Sequence, residues 1–518
     1  MTIDLKTLTI SSVKEMFANG TLTSVELVQA YLDQINEKDK DINAFREVFA
    51  DVLDQARKAD EIRANAVAAG SSGAELLESM PFLGIPFGMK DNILIEGRHA
   101  GASSKILENY IGAYDSTVTK KLKEAGAIFI GRLNMDEFAM GGSTENSAYG
   151  VTKNPNDLSR VAGGSSGGSA ASVSMNEVLI SLGSDTGGSI RQPASYCGVV
   201  GLKPTYGRVS RHGLMAMGSS LDVIGPISKT VEEAEQVFNV IKGQDRFDAT
   251  TLSEEDVAAA VLKSSKINLE KLRVGIVPEL MNMGGINSAV LANLNESVEK
   301  LRAAGVEIKE VSLPHIKYSL AVYYVLMPAE VSSNMARFDS IKYGGKVEGK
   351  DLLGDYLNTR GELLGKEVRR RIILGTYVLS SGYHDAYYNK ANIVRDLISA
   401  DFKKAFEEVD VILTPTAPSP AFKIGQNTSD PVAMYLEDIF TVTANLIGIP
   451  AISIPSGTVE VDEVGDASAV GVVVNATDAA EGVVGEKIKL PLGVQFMAPL
   501  CREDVLFAIG KKFESVIK

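Results

Sequence analysis

The sequence predicts an α/β fold in which a mixed, largely buried β-sheet is flanked by helices. From about residue 82 onwards, short apolar runs alternate with helical stretches, which is typical of a sheet covered by helices. The apolar runs that predict strands are 82–89, 127–131, 178–182, 274–277, 411–413, 451–454 and 492–496. An amphipathic helix is predicted at 286–304, and Gly305 is a typical residue to end it. A chain of 518 residues that is 45% hydrophobic can bury a core of this size.

Residues 1–75 are predicted to form a helical segment packed on the core, followed by one domain over 76–518. Thr23 and Glu26 have the spacing of a capping box at a helix N-terminus. The apolar residues that follow recur at helical spacing and form one stripe: Leu27, Val28, Tyr31, Leu32 and Ile35. This stripe indicates a helix that packs against the rest of the protein.

Within the large domain, residues 456–490 are predicted to be a surface insertion. The segment holds seven acidic residues against two lysines and is otherwise rich in Gly, Val and Ala. We expect a β-hairpin with a mobile tip there, without a functional role.

Composition excludes several classes of function. The formal net charge is -14, so the surface field opposes binding of a phosphate backbone unless one face is locally basic. The densest basic run is Arg369, Arg370 and Arg371, and on a helix these three side chains point in different directions. Nucleic acid is therefore not an expected direct partner of this chain.

The cysteine content and hydropathy suggest an intracellular protein without metal. Two cysteines, Cys197 and Cys501, are too few for a disulfide framework or a thiolate metal site, so we expect buried thiols. No run of eighteen apolar residues occurs, and charged residues interrupt the first twenty positions. The expected location is the cytoplasm, with no membrane association.

Two glycine- and serine-rich segments flank the predicted strand at 178–182. Residues 163–168 read GGSSGG and residues 183–191 read GSDTGGSIR. The first runs into a predicted helix at 170–175, which places its serines near a helix N-terminus. The second offers consecutive backbone N–H groups with little side-chain bulk, a composition that suits an oxyanion hole around a nucleophilic hydroxyl.

Other interpretations of these glycines are less consistent with the sequence. Neither the GxxxxGK[ST] nor the GxGxxG pattern of phosphate loops is present. Gly163, Ser165 and Gly167 do fit the GxSxG nucleophile elbow, which requires a histidine base after it in the chain. The chain's histidines are His99, His212, His315 and His384, and none lies in a sequence setting typical of a catalytic base.

A lysine base is a better hypothesis. Lys90 directly follows an apolar run, so it emerges at the C-terminal end of a strand, where the sites of α/β proteins collect. To act as a base it must be neutral, and lowering its pKa from about 10.4 to near 7 requires roughly 4 to 5 kcal/mol, which burial can supply. Asp91 would oppose this shift if it pointed inward, so we expect it to point away or to bind backbone.

These residues together resemble the amidase signature family, and the resemblance covers nearly the whole chain. Lys90, Ser165 and Ser189 lie in sequences similar to the family's lysine, GGSSGG and GSDTGGSIR motifs. Further stretches are similar to the glutamine-hydrolysing subunits of glutamyl-tRNA(Gln) amidotransferases: LNMDEFAMG at 133–141, STENS at 143–147, GVVGLKPTYGR at 198–208, RRIILGT at 370–376 and PVAMYLED at 431–438. The insertion at 456–490 departs from the family pattern but contains no catalytic motif.

The resemblance implies the amidase signature fold and a Ser-Ser-Lys triad. Neutral Lys90 would deprotonate Ser165, which follows a cis peptide bond in the family, and Ser165 would take the proton of the nucleophile Ser189. The oxyanion would be held by backbone N–H groups of Thr186, Gly187, Gly188 and Ser189. No metal is implied.

The resemblance also implies a substrate and partners. Arg371 would pair with the α-carboxylate of glutamine and Asp438 with its α-ammonium, while Tyr323 or Tyr324 would line the pocket. The chain would be the glutaminase subunit of a heterotrimer with B and C subunits, supplying ammonia for conversion of Glu-tRNA(Gln) to Gln-tRNA(Gln). This chain would bind no cofactor, and its partners would bind ATP, Mg²⁺ and most of the tRNA. Two alternatives stay open, a free-standing amidase acting on other acyl amides and a non-catalytic scaffold.

Overall fold

The computed structural model describes residues 3–70, 73–281, 283–428, 430–462 and 487–517. The strands are β1 (Phe45–Val48), β2 (Pro86–Lys90), β3 (Ile128–Leu133), β4 (Lys153–Asn154), β5 (Asp157–Val161), β6 (Ile180–Asp185), β7 (Val200–Lys203), β8 (Val223–Ser228), β9 (Arg273–Ile276), β10 (Glu307–Glu310), β11 (Val411–Pro415), β12 (Ala451–Asp462) and β13 (Lys487–Met497).

The α-helices lie on the chain between and around these strands. They are α1 (Ile10–Ala18), α2 (Ser24–Ile42), α3 (Val52–Ala68), α4 (Gly73–Ser79), α5 (Thr117–Glu124), α6 (Gly167–Ser174), α7 (Arg191–Cys197), α8 (Val231–Ile241), α9 (Glu254–Lys263), α10 (Pro278–Met281), α11 (Ser288–Ala303), α12 (Ser319–Asn334), α13 (Leu352–Leu363), α14 (Lys366–Leu379), α15 (Lys390–Glu408), α16 (Pro431–Leu436), α17 (Val442–Leu446) and α18 (Glu503–Ile517). No helix in the described ranges is both long enough and apolar enough to cross a bilayer.

Eleven of the described strands form one mixed sheet in the order β1-β3-β2-β6-β8-β7-β12-β13-β11-β9-β10. β2 pairs in parallel with β3 and β6, and β9 pairs in parallel with β10 and β11, while the remaining neighbours in the sheet are antiparallel. Every residue of β2, β3, β6, β7 and β8 is buried. The prediction of a mixed, largely buried sheet is confirmed, and each predicted strand has its counterpart.

The N-terminal segment contains the predicted helix, but it is not wholly helical. The Thr23 side chain accepts from the Glu26 N–H in a capping box, and Leu27, Val28, Tyr31 and Ile35 are buried on α2. β1 also lies in this segment and forms one edge of the sheet, antiparallel to β3. Its four residues include Arg46 and Glu47, so the strand gave no apolar run. The domain division at residue 75 stays a prediction.

The two arms of the predicted insertion form an antiparallel hairpin. β12 pairs with β13 as far as Asp462 opposite Lys487. The hairpin arms therefore agree with the prediction. The predicted mobile tip falls on 463–486, outside the described residues.

The sheet brings the carboxyl ends of two strands close together. β2 and β6 are parallel neighbours, so Lys90 at the end of β2 and Asp185 at the end of β6 leave the sheet on one side. The GGSSGG segment precedes α6, which contacts both strands. The candidate site lies at these carboxyl ends of the strands.

Candidate active site

Lys90 is fully buried, and its amine is surrounded by hydroxyl groups. Its Nζ lies 2.8 Å from Ser165 Oγ, 2.7 Å from Ser166 Oγ and 2.9 Å from Ser184 Oγ. Asn92 Nδ2 donates to the same Ser184 hydroxyl at 3.0 Å. The lysine therefore has no access to solvent and is in direct proton-transfer distance of Ser165.

Burial lowers the pKa of Lys90 to about 7, although the charges of Asp136, Asp185 and Asp222 partly oppose the shift. Asp91 accepts from the backbone N–H groups of Gly101 at 3.2 Å and Ser103 at 2.8 Å, and it also pairs with Arg132. The expectation that Asp91 binds backbone is confirmed. A substantial fraction of Lys90 is thus a free amine near neutral pH.

The backbone of the GGSSGG segment binds residues 186–190, which carry the predicted nucleophile and are called the nucleophile loop below. The Gly164–Ser165 peptide bond is cis. The Ser166 N–H donates to the Ser189 carbonyl at 3.1 Å, and the Gly164 N–H donates to Gln192 Oε1 at 2.9 Å. A Cβ on residue 164 would lie 2.1 Å from Asp136 Oδ2, which explains why a glycine stands there.

Ser189 is 8% exposed, whereas Lys90 and Ser165 are fully buried, so it is the most exposed residue of the predicted triad. In the described part of the chain, the Ser189 hydroxyl has no hydrogen-bond partner. The Ser165–Ser189 contact that a proton relay requires therefore stays a prediction. The two segments that carry these serines are nevertheless in contact through the Ser166 and Ser189 backbones.

Asp185 organises the nucleophile loop. Its carboxylate accepts from the Gly188 N–H at 2.8 Å and the Ile190 N–H at 3.1 Å, and it binds Arg191 through Nε at 3.1 Å and Nη2 at 3.0 Å. Burial alone would raise the pKa of Asp185, but the charge and hydrogen bonds of Arg191 outweigh it and hold the pKa at about 2. The loop is thus built around a permanently charged carboxylate.

One N–H group of the predicted oxyanion hole already has an acceptor within the chain. The Gly188 N–H is occupied by Asp185, so it is not available to an oxyanion in this structure. The N–H groups of Thr186, Gly187 and Ser189 have no acceptor among the described residues. This contact could not be anticipated, because the inward turn of the Asp185 side chain cannot be inferred from a run of small residues. The oxyanion hole of Thr186, Gly187, Gly188 and Ser189 stays a prediction.

The Arg191–Asp185 pair is expected to be a large contributor to stability. Both side chains are fully buried, so Arg191→Met leaves the Asp185 carboxylate without its cation. We expect the free energy of unfolding to fall by about 3 to 5 kcal/mol, measured by urea denaturation. Arg302→Met is the control, because the Arg302–Glu299 pair is exposed and its loss should cost less than about 1 kcal/mol. Equal losses for the two variants would contradict this.

Two side chains close over the nucleophile loop from the other half of the chain. Thr441 Oγ1 donates to the Gly187 carbonyl at 2.6 Å. A Cβ at position 187 would lie 2.5 Å from Tyr323 Oη, and a Cβ at 188 would lie 2.3 Å from Thr441 Oγ1. The glycines therefore allow these two side chains to touch the loop backbone.

The predicted substrate-binding residues lie on either side of Tyr324. Arg371 is 3% exposed, and its Cζ lies 5.7 Å from the centre of the Tyr324 ring. Tyr324 Oη donates to Asp438 Oδ2 at 2.8 Å. Burial raises the pKa of Asp438 to about 7, against the lowering effect of Tyr324 and Arg371. The structure brings both charged residues to one aromatic side chain.

The two tyrosines proposed for the pocket lie in different places, and which of them contacts substrate stays a prediction. Tyr323 lies against Gly187 in the nucleophile loop, and Tyr324 binds Asp438.

Arg371 is the buried member of the arginine run, whereas Arg369 is exposed and Arg370 is half-buried. Asp438 is also connected to the loop, because the Thr441 N–H donates to its carbonyl at 3.0 Å.

The histidines take no part in this site. His99, His315 and His384 face the carboxylates of Glu47, Asp401 and Asp385, and His212 stacks between Tyr114 and Phe247. The GxSxG interpretation with a histidine base is therefore not supported. The thiols of Cys197 and Cys501 are free and buried, as expected. Among the described residues, no cluster of three or more His, Cys, Asp or Glu is arranged to hold a metal.

Sequence reasoning missed several residues around the site. Ser184 lies inside the GSDTGGSIR motif and could have been proposed as a lysine partner. Glu367 stands four residues before Arg371 on one helix, a spacing that favours an ion pair. Tyr435 lies inside the PVAMYLED stretch, but nothing there indicated its contact with Glu367. Thr441 carried no comparable signal, because its contact with Gly187 joins parts of the chain that are distant in sequence.

The chain is similar to known proteins over nearly its whole length. A family model described as Amidase matches residues 26–507. The chain is 48% identical over 516 residues to the glutamyl-tRNA(Gln) amidotransferase A subunit of Fusobacterium nucleatum subsp. nucleatum, covering 99% of this chain and 97% of that protein. It is 46% identical over 512 residues to the protein of the same name from Roseiflexus castenholzii, covering 98% and 96%.

Solved structures extend the likeness to three dimensions. The crystal structure of the glutamyl-tRNA(Gln) amidotransferase A subunit from Thermotoga maritima has a TM-score of 0.73 at 38% identity, covering 99% of this chain and 96% of that one. Native peptide amidase from Stenotrophomonas maltophilia has a TM-score of 0.73 at 24% identity, covering 99% and 97%, and so has the same fold.

Proposed function

The chain belongs to the amidase family, and on that premise we propose that it hydrolyses glutamine as the ammonia-producing subunit of a tRNA-dependent amidotransferase. The main support for amide hydrolysis is the buried Lys90 amine 2.8 Å from Ser165 Oγ, in a segment whose Ser166 N–H binds the Ser189 carbonyl. The main support for the assembly is the name shared by relatives that are 45–49% identical over 88–99% of this chain.

In the proposed acylation step, the free amine of Lys90 takes the proton of Ser165, which takes the proton of Ser189. Ser189 Oγ then attacks the amide carbon, and the oxyanion is held by the N–H groups of Thr186, Gly187 and Ser189. Such preorganised donors typically contribute several kcal/mol to transition-state stabilisation. The proton returns through the same groups to the leaving nitrogen, and ammonia departs.

Deacylation follows the same route in reverse. Water gives a proton to the relay and attacks the ester carbonyl, and Ser189 recovers its proton as glutamate leaves. No step requires a cofactor in this chain. The base must be uncharged at the start of both half-reactions, which is the state that burial favours for Lys90.

This mechanism predicts a pH dependence with a definite sign. Since the pKa of Lys90 is about 7 and the protonated form is inactive, kcat should rise as pH increases through about 7 and then level off. Ammonia release at saturating glutamine isolates Lys90, because the proposed role of Asp438 appears in KM. A kcat that is flat from about pH 5.5 to 9, or that falls as pH increases, would contradict a lysine base.

The geometry around Tyr324 supports an α-amino acid as substrate. Arg371 offers a guanidinium to the carboxylate, and Asp438 offers a carboxylate to the ammonium, which would stabilise its ionised form. We therefore expect Arg371→Lys to raise KM for glutamine at least about tenfold with kcat little changed, because lysine loses the bidentate fork. Steady-state kinetics checks this, and an unchanged KM would argue against glutamine as the substrate.

The proposed partners are the B and C subunits of a heterotrimer. Ammonia would pass to the partner that binds ATP and Mg²⁺ and converts Glu-tRNA(Gln) to Gln-tRNA(Gln). The net charge of -14 is consistent with a chain that leaves most tRNA binding to its partners. The proposed location is the cytoplasm, where tRNA is charged.

The decisive experiment is co-expression with candidate B and C subunits. The expected result is a purified complex that converts Glu-tRNA(Gln) only when glutamine or free ammonia is supplied. A chain without its partners should lack this conversion. Efficient turnover of many acyl amides by the chain alone, with no preference for glutamine, would instead favour the free-standing amidase.

A further inference from the structure

Behind Arg371 lies a second carboxylate that the proposed chemistry does not use. Glu367 is on α14, one turn before Arg371, and is 7% exposed. One of its oxygens, Oε1, accepts from Arg371 Nε at 2.8 Å and from Tyr435 Oη at 3.0 Å. A single buried oxygen therefore holds side chains from α14 and α16.

Tyr435 continues this contact toward Asp438. Its ring stacks on Tyr324 with centroids 3.9 Å apart and an interplanar angle of 20°. Tyr324 Oη in turn donates to Asp438 Oδ2 at 2.8 Å. Arg371 and Asp438 are thus joined by an unbroken series of contacts through Glu367, Tyr435 and Tyr324.

The bond to Glu367 uses one particular edge of the guanidinium. Arg371 Nε is bound, while Nη1 lies 3.6 Å from Met327 Sδ, a weak acceptor. Among the described residues, Nη2 has no acceptor. An arginine side chain is flexible, so a partner at Nε fixes the direction in which the remaining N–H groups point.

We propose that Glu367 and Tyr435 are positioning residues that set the distance between the cation at Arg371 and the anion at Asp438, and so select amides of α-amino acids. This rests on the proposed function of the site. The recognised class is an amide whose distal end carries a carboxylate and an ammonium on one carbon. Loss of the Glu367 charge lets the Arg371 fork move, which weakens recognition of the substrate carboxylate but leaves the chemistry at Ser189 intact.

The test compares two substrates that differ in one group. Glutamine carries the α-carboxylate, and 4-aminobutanamide has the same amide and amine without it. In Glu367→Gln, assayed in complex with the B and C subunits, we expect KM for glutamine to rise about tenfold with kcat within about threefold of wild type. The kcat/KM for 4-aminobutanamide should stay within about twofold, so the preference for glutamine falls about tenfold.

Matched variants separate positioning from folding. Arg370 binds the other oxygen of Glu367 and is half-buried, so Arg370→Gln disturbs the same carboxylate without touching Arg371. The Arg370→Gln variant should prefer glutamine over 4-aminobutanamide to the same extent as wild type. Tyr435→Phe keeps the ring stack and removes one hydroxyl, so the preference should fall by about threefold to fivefold. This variant also tests the proposal if Glu367→Gln does not fold.

Three outcomes would contradict either the positioning role of Glu367 and Tyr435 or the proposed substrate. A wild-type preference in folded Glu367→Gln, or in Tyr435→Phe if the first variant does not fold, overturns the positioning role while the glutaminase proposal stands. An equal loss of preference in Arg370→Gln overturns it as well, since the effect would then be one of general stability. If wild type itself shows no preference for glutamine over 4-aminobutanamide, the proposed substrate is wrong.

Discussion

Replacement of Ser189 by alanine should reduce amide hydrolysis by about 10⁴-fold or more, since it removes the hydroxyl proposed to form the acyl intermediate. The loss should appear in kcat, with the thermal unfolding midpoint within a few degrees of wild type, because Ser189 Oγ makes no hydrogen bond within the described chain. Ammonia release and thermal denaturation measure the two effects. The residual rate would come from binding and the remaining N–H donors.

Covalent labelling provides a direct control for this variant. A fluorophosphonate probe should modify wild type at Ser189, identified by peptide mapping, and should leave Ser189→Ala unmodified. Ser174→Ala is a matched serine variant, because the Ser174 hydroxyl binds the Cys197 carbonyl away from the site, and it should label normally. Absence of labelling in the wild-type complex would instead favour the non-catalytic scaffold.

Replacement of Lys90 by methionine should lower kcat by about 10³- to 10⁵-fold, because the hydroxyl relay loses its base. Methionine has a similar length and no charge, so the buried position should remain filled and the protein folded. Ammonia release measures the loss, and circular dichroism confirms folding. Lys90→Ala should lose activity similarly, with a greater cost in stability because it leaves a cavity.

The chain offers a close control for Lys90 in a second fully buried lysine. Burial lowers the pKa of Lys203 to about 7, as it does for Lys90, but Lys203 Nζ binds the Pro204 carbonyl instead of serine hydroxyls. Lys203→Met should therefore retain activity within about tenfold. If both methionine variants lost activity equally, buried charge in general, not a base at position 90, would explain the result.

The sequence predicted seven of the eleven strands of the sheet and the burial of Lys90. An apolar run before Lys90 predicted burial, and the structure shows the lysine without exposed surface. Lys90 and the GSDTGGSIR motif are close together because β2 and β6 are parallel neighbours. The GGSSGG motif joins them because it leads into α6, which contacts both strands. Local sequence therefore carried most of the information about this half of the site.

The remaining features depend on side-chain directions and distant contacts. The Asp185 carboxylate takes the Gly188 N–H, an interaction set by one rotamer and by Arg191. Thr441 reaches Gly187 across 254 positions of the chain, and no short motif predicts such a contact. β1 was missed because a four-residue edge strand with two charged side chains has no apolar periodicity.

The closure of Tyr323 and Thr441 over Gly187 has an evolutionary consequence. The groups proposed to cleave the amide lie between Lys90 and Arg191 in the chain, whereas the groups proposed to bind the rest of the substrate lie within 319–441. Substitutions within 319–441 can therefore change which acyl groups the enzyme accepts, while the residues proposed to cleave the amide stay the same. Positions 187 and 188 limit this variation, because a side chain larger than glycine there would displace Tyr323 or Thr441.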